Sequence, residues 1–266
     1  MKKAILVCFF VLVVFGTQFI SATTWRSRVW PQTPEGVLKP HYPAEPEDPE
    51  DPVTPLELQG WVIVIDPGHG GTEPGAINSN LGLKEKDINL SVGLLLRDNL
   101  LTLGADVKMT RSTDVNVTIA ARRNFSNSQN AHRFVSLHVN AAGNTSAKGI
   151  ETWVDTDAGK IWKDYAQTLH NNIVRKARSY DSSILDRKLK YSGSTPPWSD
   201  GRKIGVLRYD LINAPAALIE MNFISNDVEA NRLSRTEYQK TLADGIAEGF
   251  VEHSTQYNKE DGVIKR

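Results

Sequence analysis

The five consecutive apolar residues Trp61-Val62-Ile63-Val64-Ile65 constrain the fold more than any other stretch of this sequence. So short and unbroken a run, rich in β-branched residues, reads as a strand buried on both faces, which belongs inside a sheet covered by helices. The following segments agree with that expectation. Ile88, Val92, Leu96, Leu100 and Leu103 recur at helical spacing, and Gly104 then stops the helix. Residues 107–110 read as a second strand. A helix from about 117 to 130 leads into the strand-like Phe134-Val135-Ser136-Leu137-His138-Val139, and residues 149–154 form a further strand. A long helix then carries Ile161, Tyr165, Leu169 and Ile173 on one face, and Ala216-Ala217-Leu218-Ile219 resumes the sheet. The last helix is expected to open on Ser234-Arg235-Thr236-Glu237 as a capping box and to bury Tyr238, Leu242, Ile246 and Phe250. Strands alternating with helices predict an α/β fold in a single domain, with a mostly parallel sheet flanked by helices on both faces.

The two ends of the chain differ in kind from this core. Lys2 and Lys3 precede an apolar run from Ala4 to Phe15, and Ile20-Ser21-Ala22 supplies small residues for cleavage, so residues 1–22 read as a secretory signal peptide. The run is short for a membrane span, and no stable span is expected once the leader is removed. Cys8, the only cysteine, falls within it, which predicts a mature chain without thiol or disulfide. Residues 23–59 are crowded with Pro, Glu and Asp. Prolines remove backbone donors and like charges repel, so an extended tether is expected there. The folded domain is placed at residues 60–255, followed by a polar tail over 256–266. Within the domain, Ser179 to Lys203 is rich in Ser, Gly, Pro and charge and reads as an unusually long loop, itself a candidate for function. The 31 basic residues balance 31 acidic ones, so a nucleic-acid partner is not expected.

In folds of this class, chemistry collects where strands end and loops begin. Residues 61–65 run into Asp66-Pro67-Gly68-His69-Gly70-Gly71, whose glycines permit a tight turn that presents the imidazole. His138 closes another strand, Glu85 opens the first long helix, and Glu220 ends the strand at Ala216–Ile219. Two neutral imidazoles and one carboxylate make a common catalytic zinc shell with a fourth position for water, and a further carboxylate could take that water's proton. His69, Glu85 and His138 fit the first description and Glu220 the second. Spacing alone does not single out this set, because six histidines allow several others. Asp66, Asn140 and Glu151 lie close by in sequence and are candidates to orient ligands or bind substrate, although capping and turn formation explain Asp66 and Asn140 equally well. His41, His132, His170 and His253 read as structural. Trp153 and Trp162 read as core, and Trp198 is a candidate for stacking on a sugar ring.

The residues 64–71 (Val-Ile-Asp-Pro-Gly-His-Gly-Gly), Pro74-Gly75-Ala76, Gly82-Leu83-Lys84-Glu85-Lys86-Asp87, Ser136-Leu137-His138-Val139-Asn140-Ala141 and residues 218–226 (Leu-Ile-Glu-Met-Asn-Phe-Ile-Ser-Asn) resemble, in order, the catalytic domain of zinc-dependent N-acetylmuramoyl-L-alanine amidases. The similarity runs from about residue 60 to residue 252. It implies one zinc ion on His69, Glu85 and His138, a catalytic Glu220, a twisted six-stranded sheet, and hydrolysis of the amide between the muramic lactyl group and L-alanine in peptidoglycan. Action outside the inner membrane, in periplasm or cell wall, during remodelling or cell separation follows from the leader and the resemblance together. Two alternatives stand beside this reading: an endopeptidase acting on peptide cross-links, and a wall-binding regulator without turnover. Residues 179–203 are short for the inserted plugging helix of cell-division members, and the sequence names no activator protein. It also gives no basis for naming a substrate-binding arginine before Gly205.

Overall fold

The computed structural model describes residues 56–197 and 200–265. The expected leader, nearly all of the tether, and Trp198 lie outside the described residues. In chain order the elements are strands β1 (Val62–Pro67), β2 (Ile77–Asn78) and β3 (Leu83–Lys84), helix α1 (Glu85–Thr102), β4 (Asp106–Met109), α2 (Ile119–Ser128), β5 (Arg133–Asn140), β6 (Ile150–Asp155), α3 (Lys160–Tyr180), β7 (Asp186–Ser192), β8 (Ala216–Phe223), α4 (Asp227–Leu233) and α5 (Thr236–Gln256). Six strands form one sheet in the order β4-β1-β5-β8-β6-β7, and β2 with β3 forms a separate two-stranded ribbon. Every pairing in the large sheet is parallel except β6 with β8. This is the single-domain, mostly parallel six-stranded α/β arrangement that the sequence and its resemblance imply.

Residues alternate in direction along β1, and this settles which helix covers which face. Ile65 and Pro67 point to α1, since a Cβ added at Gly93 would approach the side chains of both. Asp66 points the other way, where Arg122 of α2 meets it. The α1 face also carries α3 and α5, which pack on each other and bury Leu96, Leu100, Tyr165, Leu169, Ile173, Leu242, Ile246 and Phe250. Burial of this continuous apolar layer is the main stabilising term, at about 25 cal/mol per Å² of apolar surface removed from water. On the α2 face a cavity is bordered by His138 and Leu218 of β5 and β8 and by His69, which follows β1.

Three local features differ from the sequence expectations. The stretch read as one long loop contains β7, an edge strand whose sequence Asp-Arg-Lys-Leu-Lys-Tyr-Ser is mostly charged and polar because only one of its sides is paired and little of it is buried. The expected capping box at Ser234 does not form. Ser234 instead closes α4, its hydroxyl donates to the Asn231 carbonyl, and Arg235 precedes α5 without a side-chain cap. Packing also extends past both expected ends of the domain: Leu58 is fully buried, and beyond α5 the Gly262 carbonyl accepts from the Trp162 indole while the Ile264 amide donates to Asn213.

Candidate metal centre

The turn after β1 is built under strain. His69 takes φ 59°, a left-handed conformation that side chains other than glycine rarely adopt, and Gly70 and Gly71 also have positive φ. Two buried arginines hold it there. Arg122 donates through Nη2 to the His69 carbonyl at 2.9 Å and through Nη1 to Pro67 at 2.8 Å, while Arg111 reaches the carbonyls of Pro67 at 2.8 Å and Gly68 at 2.9 Å. Arg122 is anchored in turn by Asp66, whose fully buried carboxylate also accepts from Thr110 and Ser136. Asp66 is therefore neither a cap nor a turn former. Through Arg122 its hydrogen bonds connect to the His69 carbonyl.

Glu85 begins α1, where the first-turn amides and the helix dipole favour negative charge. The loop at Pro74–Ala76 docks on it from both sides: the Glu85 amide donates to the Ala76 carbonyl, and the Ala76 amide returns to Glu85 Oε2 at 2.9 Å. Oε1 accepts from the Val139 amide at 3.1 Å, which ties α1 to the end of β5. Two glycines make the room this needs. A Cβ at Gly75, where φ is 68°, would lie 2.5 Å from Glu85 Oε2 and 2.7 Å from the His69 ring, and a Cβ at Gly68 would lie 2.3 Å from the His138 ring.

These constraints bring the three groups together. Glu85 Oε1 lies 3.3 Å from Nε2 of His69 and 2.9 Å from Nδ1 of His138, and one donor atom from each residue falls within 4.8 Å of the others. The donors of a tetrahedral zinc with bonds of about 2.1 Å stand about 3.4 Å apart; the two Glu85 contacts come within about 0.5 Å of that spacing, and the two imidazole donors lie within 4.8 Å of each other. Burial pushes the Glu85 carboxyl up, but hydrogen bonds with His138 and His69 outweigh it and hold the group well below the usual carboxylate range. The bond to Glu85 likewise raises the His69 imidazole above its ordinary value, against burial. This mutual charge attraction is the electrostatic signature of a carboxylate and imidazoles crowded around one point.

Glu220 stands next to His138, since these two residues are register partners on β5 and β8 and partners in a parallel pair point to the same face. Its carboxyl is pushed well above the ordinary range, first by burial and then by the charges of Glu85 and Glu151, and its Oε2 has no hydrogen-bond partner among the described residues. Glu151 is the partner of Glu220 on β6 and accepts from Asn140, Trp153 and Arg187. Asn140 also closes a small turn, its side chain accepting from the Ala141 amide.

A cavity of about 190 Å³ opens beside His69 and His138, walled by Val117, Ile119, Val206 and Leu218. A larger hollow of about 610 Å³ lies over α3 and α5 on the other face, is lined by ion-paired groups such as Arg175, Lys176 and Glu248, and contains none of these residues. The remaining described histidines serve the fold: His132 accepts from the Val62 amide, His170 is buried between Thr152 and Asp186, and His253 is fully buried on α5. Trp153 and Trp162 are core residues. Sequence reasoning missed Arg111 and Arg122. The rule that picked out His69 and His138 reaches Arg111, which follows β4 at the same sheet edge, but Arg122 lies within a helix and carries no comparable signal.

The family described as N-acetylmuramoyl-L-alanine amidase matches residues 63–252 of this chain. A sporulation-specific N-acetylmuramoyl-L-alanine amidase of Bacillus subtilis (strain 168) is 33% identical over 190 residues, covering 71% of this chain and 66% of the relative. A germination-specific N-acetylmuramoyl-L-alanine amidase of the same organism is 29% identical over 215 residues, covering 76% of this chain and 83% of that one. Among solved structures, the N-acetylmuramoyl-L-alanine amidase from Clostridium difficile 630 matches with a TM-score of 0.64 at 31% identity, over 72% of this chain and 95% of that chain. The CwlD amidase from Clostridioides difficile, solved in complex with the GerS lipoprotein, matches with a TM-score of 0.59 at 27% identity, over 74% of this chain and all of that one.

Proposed function

We propose that this chain, which belongs to the N-acetylmuramoyl-L-alanine amidase family, cuts the amide between the muramic lactyl group and L-alanine by a zinc-dependent reaction in which His69, Glu85 and His138 hold the ion and Glu220 moves the proton. The convergence of three donor atoms within 4.8 Å, drawn from the β1 turn, the start of α1 and the end of β5, is the observation that carries this reading. Zinc bound there supplies Lewis acidity toward an amide carbonyl and lowers the pKa of a water molecule.

The protein's own groups do the rest. Arg122 and Arg111 keep His69 in its strained turn, so the imidazole needs no reorganisation when it takes up a ligand. Glu85 contributes a charge already stabilised by its helix and by two backbone amides. Glu220 takes a proton from the attacking water on its carboxylate and delivers it to the nitrogen of L-alanine as the C–N bond breaks. The cavity beside the two imidazoles, walled by Val117, Ile119, Val206 and Leu218, offers the substrate a mainly apolar surface.

Among the described residues no helix is long and apolar enough to cross a membrane. Export by a leader over residues 1–22, and action in the periplasm or wall during remodelling or cell separation, complete the proposal. Mass spectrometry of peptidoglycan digested by the purified chain tests it. Intact peptide stems ending in free L-alanine, released only without chelator, are expected. Cleaved cross-links with stems still attached to sugar would mark an endopeptidase, and no products at all would mark a wall-binding protein without turnover.

A further inference from the structure

His138 on β5, Glu220 on β8 and Glu151 on β6 stand side by side in one row across the sheet, because His138 pairs with Glu220 and Glu220 with Glu151. The next strand in that direction is the edge strand β7, and its pairing with β6 slips between Ile150 and Thr152, the two neighbours of Glu151. Lys188 takes φ 71° at the slip. An irregularity of this kind re-aims side chains, and here it turns Arg187 back along the row, with Nε 2.7 Å from Glu151 Oε2. The guanidinium carbon also stands 4.8 Å from the centre of the Phe223 ring. Glu151 is itself rigid: it is 4% exposed and is held by Asn140 Nδ2 at 2.9 Å and Trp153 Nε1 at 3.1 Å.

One edge and one face of the Arg187 guanidinium are thereby engaged. Its two terminal nitrogens have no hydrogen-bond partner among the described residues, and its side chain is 34% exposed. A guanidinium pre-ordered on one side and open on the other is suited to take a carboxylate through two parallel hydrogen bonds.

We propose that Arg187 binds the free α-carboxylate on the second residue of the peptide stem as the stem is released, an inference that rests on the amidase reading above. Proton delivery by Glu220 requires the leaving nitrogen to lie over β8, so the peptide extends over β6 and β7 while the sugar lies toward β1. Neighbouring strands are about 4.8 Å apart, which puts the Arg187 backbone roughly 10 Å from that of Glu220, and the guanidinium closes part of this gap by reaching back to Glu151. An extended peptide advances about 3.5 Å per residue, so a carboxylate on its second residue sits about 7 Å from the scissile nitrogen. The two spans match. A second residue linked onward through its γ-carboxyl keeps this α-carboxylate free, and amidation removes its charge.

The test compares two soluble muramoyl-tripeptides that differ only in whether the second residue carries a free or an amidated α-carboxyl. The full chain should cut the free acid about tenfold or more faster in kcat/KM, chiefly through KM, and Arg187→Gln should bring the two substrates to parity. Any effect that Arg187→Gln has on folding, Glu151 or Glu220 lowers both rates and leaves their ratio unchanged, so the ratio isolates recognition. Arg187→Lys, which keeps the charge beside Glu151 but loses the fork, should retain part of the preference and serves if the glutamine variant does not fold. Equal rates in the unmodified chain, or a preference that survives both substitutions, would overturn the assignment while leaving the amidase reading intact. Cleavage of neither substrate by the unmodified chain would instead remove that reading and this one with it.

Discussion

Arg122→Lys separates the charge of this side chain from its shape. The native guanidinium makes four hydrogen bonds at once, to the carbonyls of Val117, Pro67 and His69 at 2.9, 2.8 and 2.9 Å and to Asp66 Oδ1 at 2.6 Å. A lysine ammonium can keep the charge pair with Asp66 but cannot span the three carbonyls, which diverge around the planar group. Each lost bond costs about 1 kcal/mol net, so the substitution should destabilise the fold by about 3 kcal/mol. The consequence for the site is separate. With its carbonyl released, His69 can relax out of the left-handed region, where holding a non-glycine residue costs of order 1–3 kcal/mol. A ligand imidazole that loses its orienting partner typically loses 10–100-fold in metal affinity, and a loss of about that size is expected here. Urea unfolding followed by circular dichroism reads the first effect, and zinc titration against a competing chelator reads the second. A lysine variant with unchanged unfolding midpoint and unchanged zinc affinity would refute the claim that the arginine clamp shapes the turn.

Two further outcomes follow from the same geometry. Gly75→Ala places a methyl 2.5 Å from Glu85 Oε2 at a position with φ 68°, so the variant should keep its far-UV circular dichroism yet retain well under one zinc per chain after dialysis; full occupancy would contradict the close docking of that loop. His253 is fully buried with no hydrogen-bond partner for either ring nitrogen among the described residues, and burial, helped by Arg133, pushes its imidazole down to about 3. The unfolded chain then binds a proton at this site below about pH 6.5 that the folded chain refuses, so stability is complete above that value and falls with acidification by up to about 1.4 kcal/mol per pH unit, down to about pH 3. At pH 5 the loss is about 2 kcal/mol relative to pH 8. His253→Met should abolish this component in paired urea titrations at the two pH values, and an unaltered pH dependence would exclude His253 as its source.

Much of this architecture was legible in the sequence because its signals were physical and local. Residues 62–65 are apolar without a break because they lie in the sheet interior, and Ile88, Val92, Leu96 and Leu100 recur at helical spacing because α1 packs on that sheet. His69, Glu85 and His138 stand out in sequence as candidates at strand and helix ends and as a set only through the family resemblance, and their convergence within 4.8 Å adds what no spacing could supply. β7 was not legible: an edge strand with one paired side tolerates Asp186, Arg187, Lys188 and Lys190, and such a sequence is indistinguishable from a loop. The capping box failed for a related reason, since Ser234 satisfies the pattern but is consumed by the end of α4, a helix too short to announce itself. Arg122 shows the limit most clearly. Its function depends on which carbonyls the β1 turn directs toward α2, a fact of tertiary geometry alone.

The most direct measurement for the central claim is zinc content and stem release on the same preparations of the unmodified chain and Glu220→Gln. One zinc per chain is expected in both, with release reduced by several orders of magnitude in the variant, because the three metal-binding groups do not include Glu220 and proton movement depends on it. A glutamine variant that releases stems at the native rate, or a native chain that is active without bound zinc, would contradict the claim.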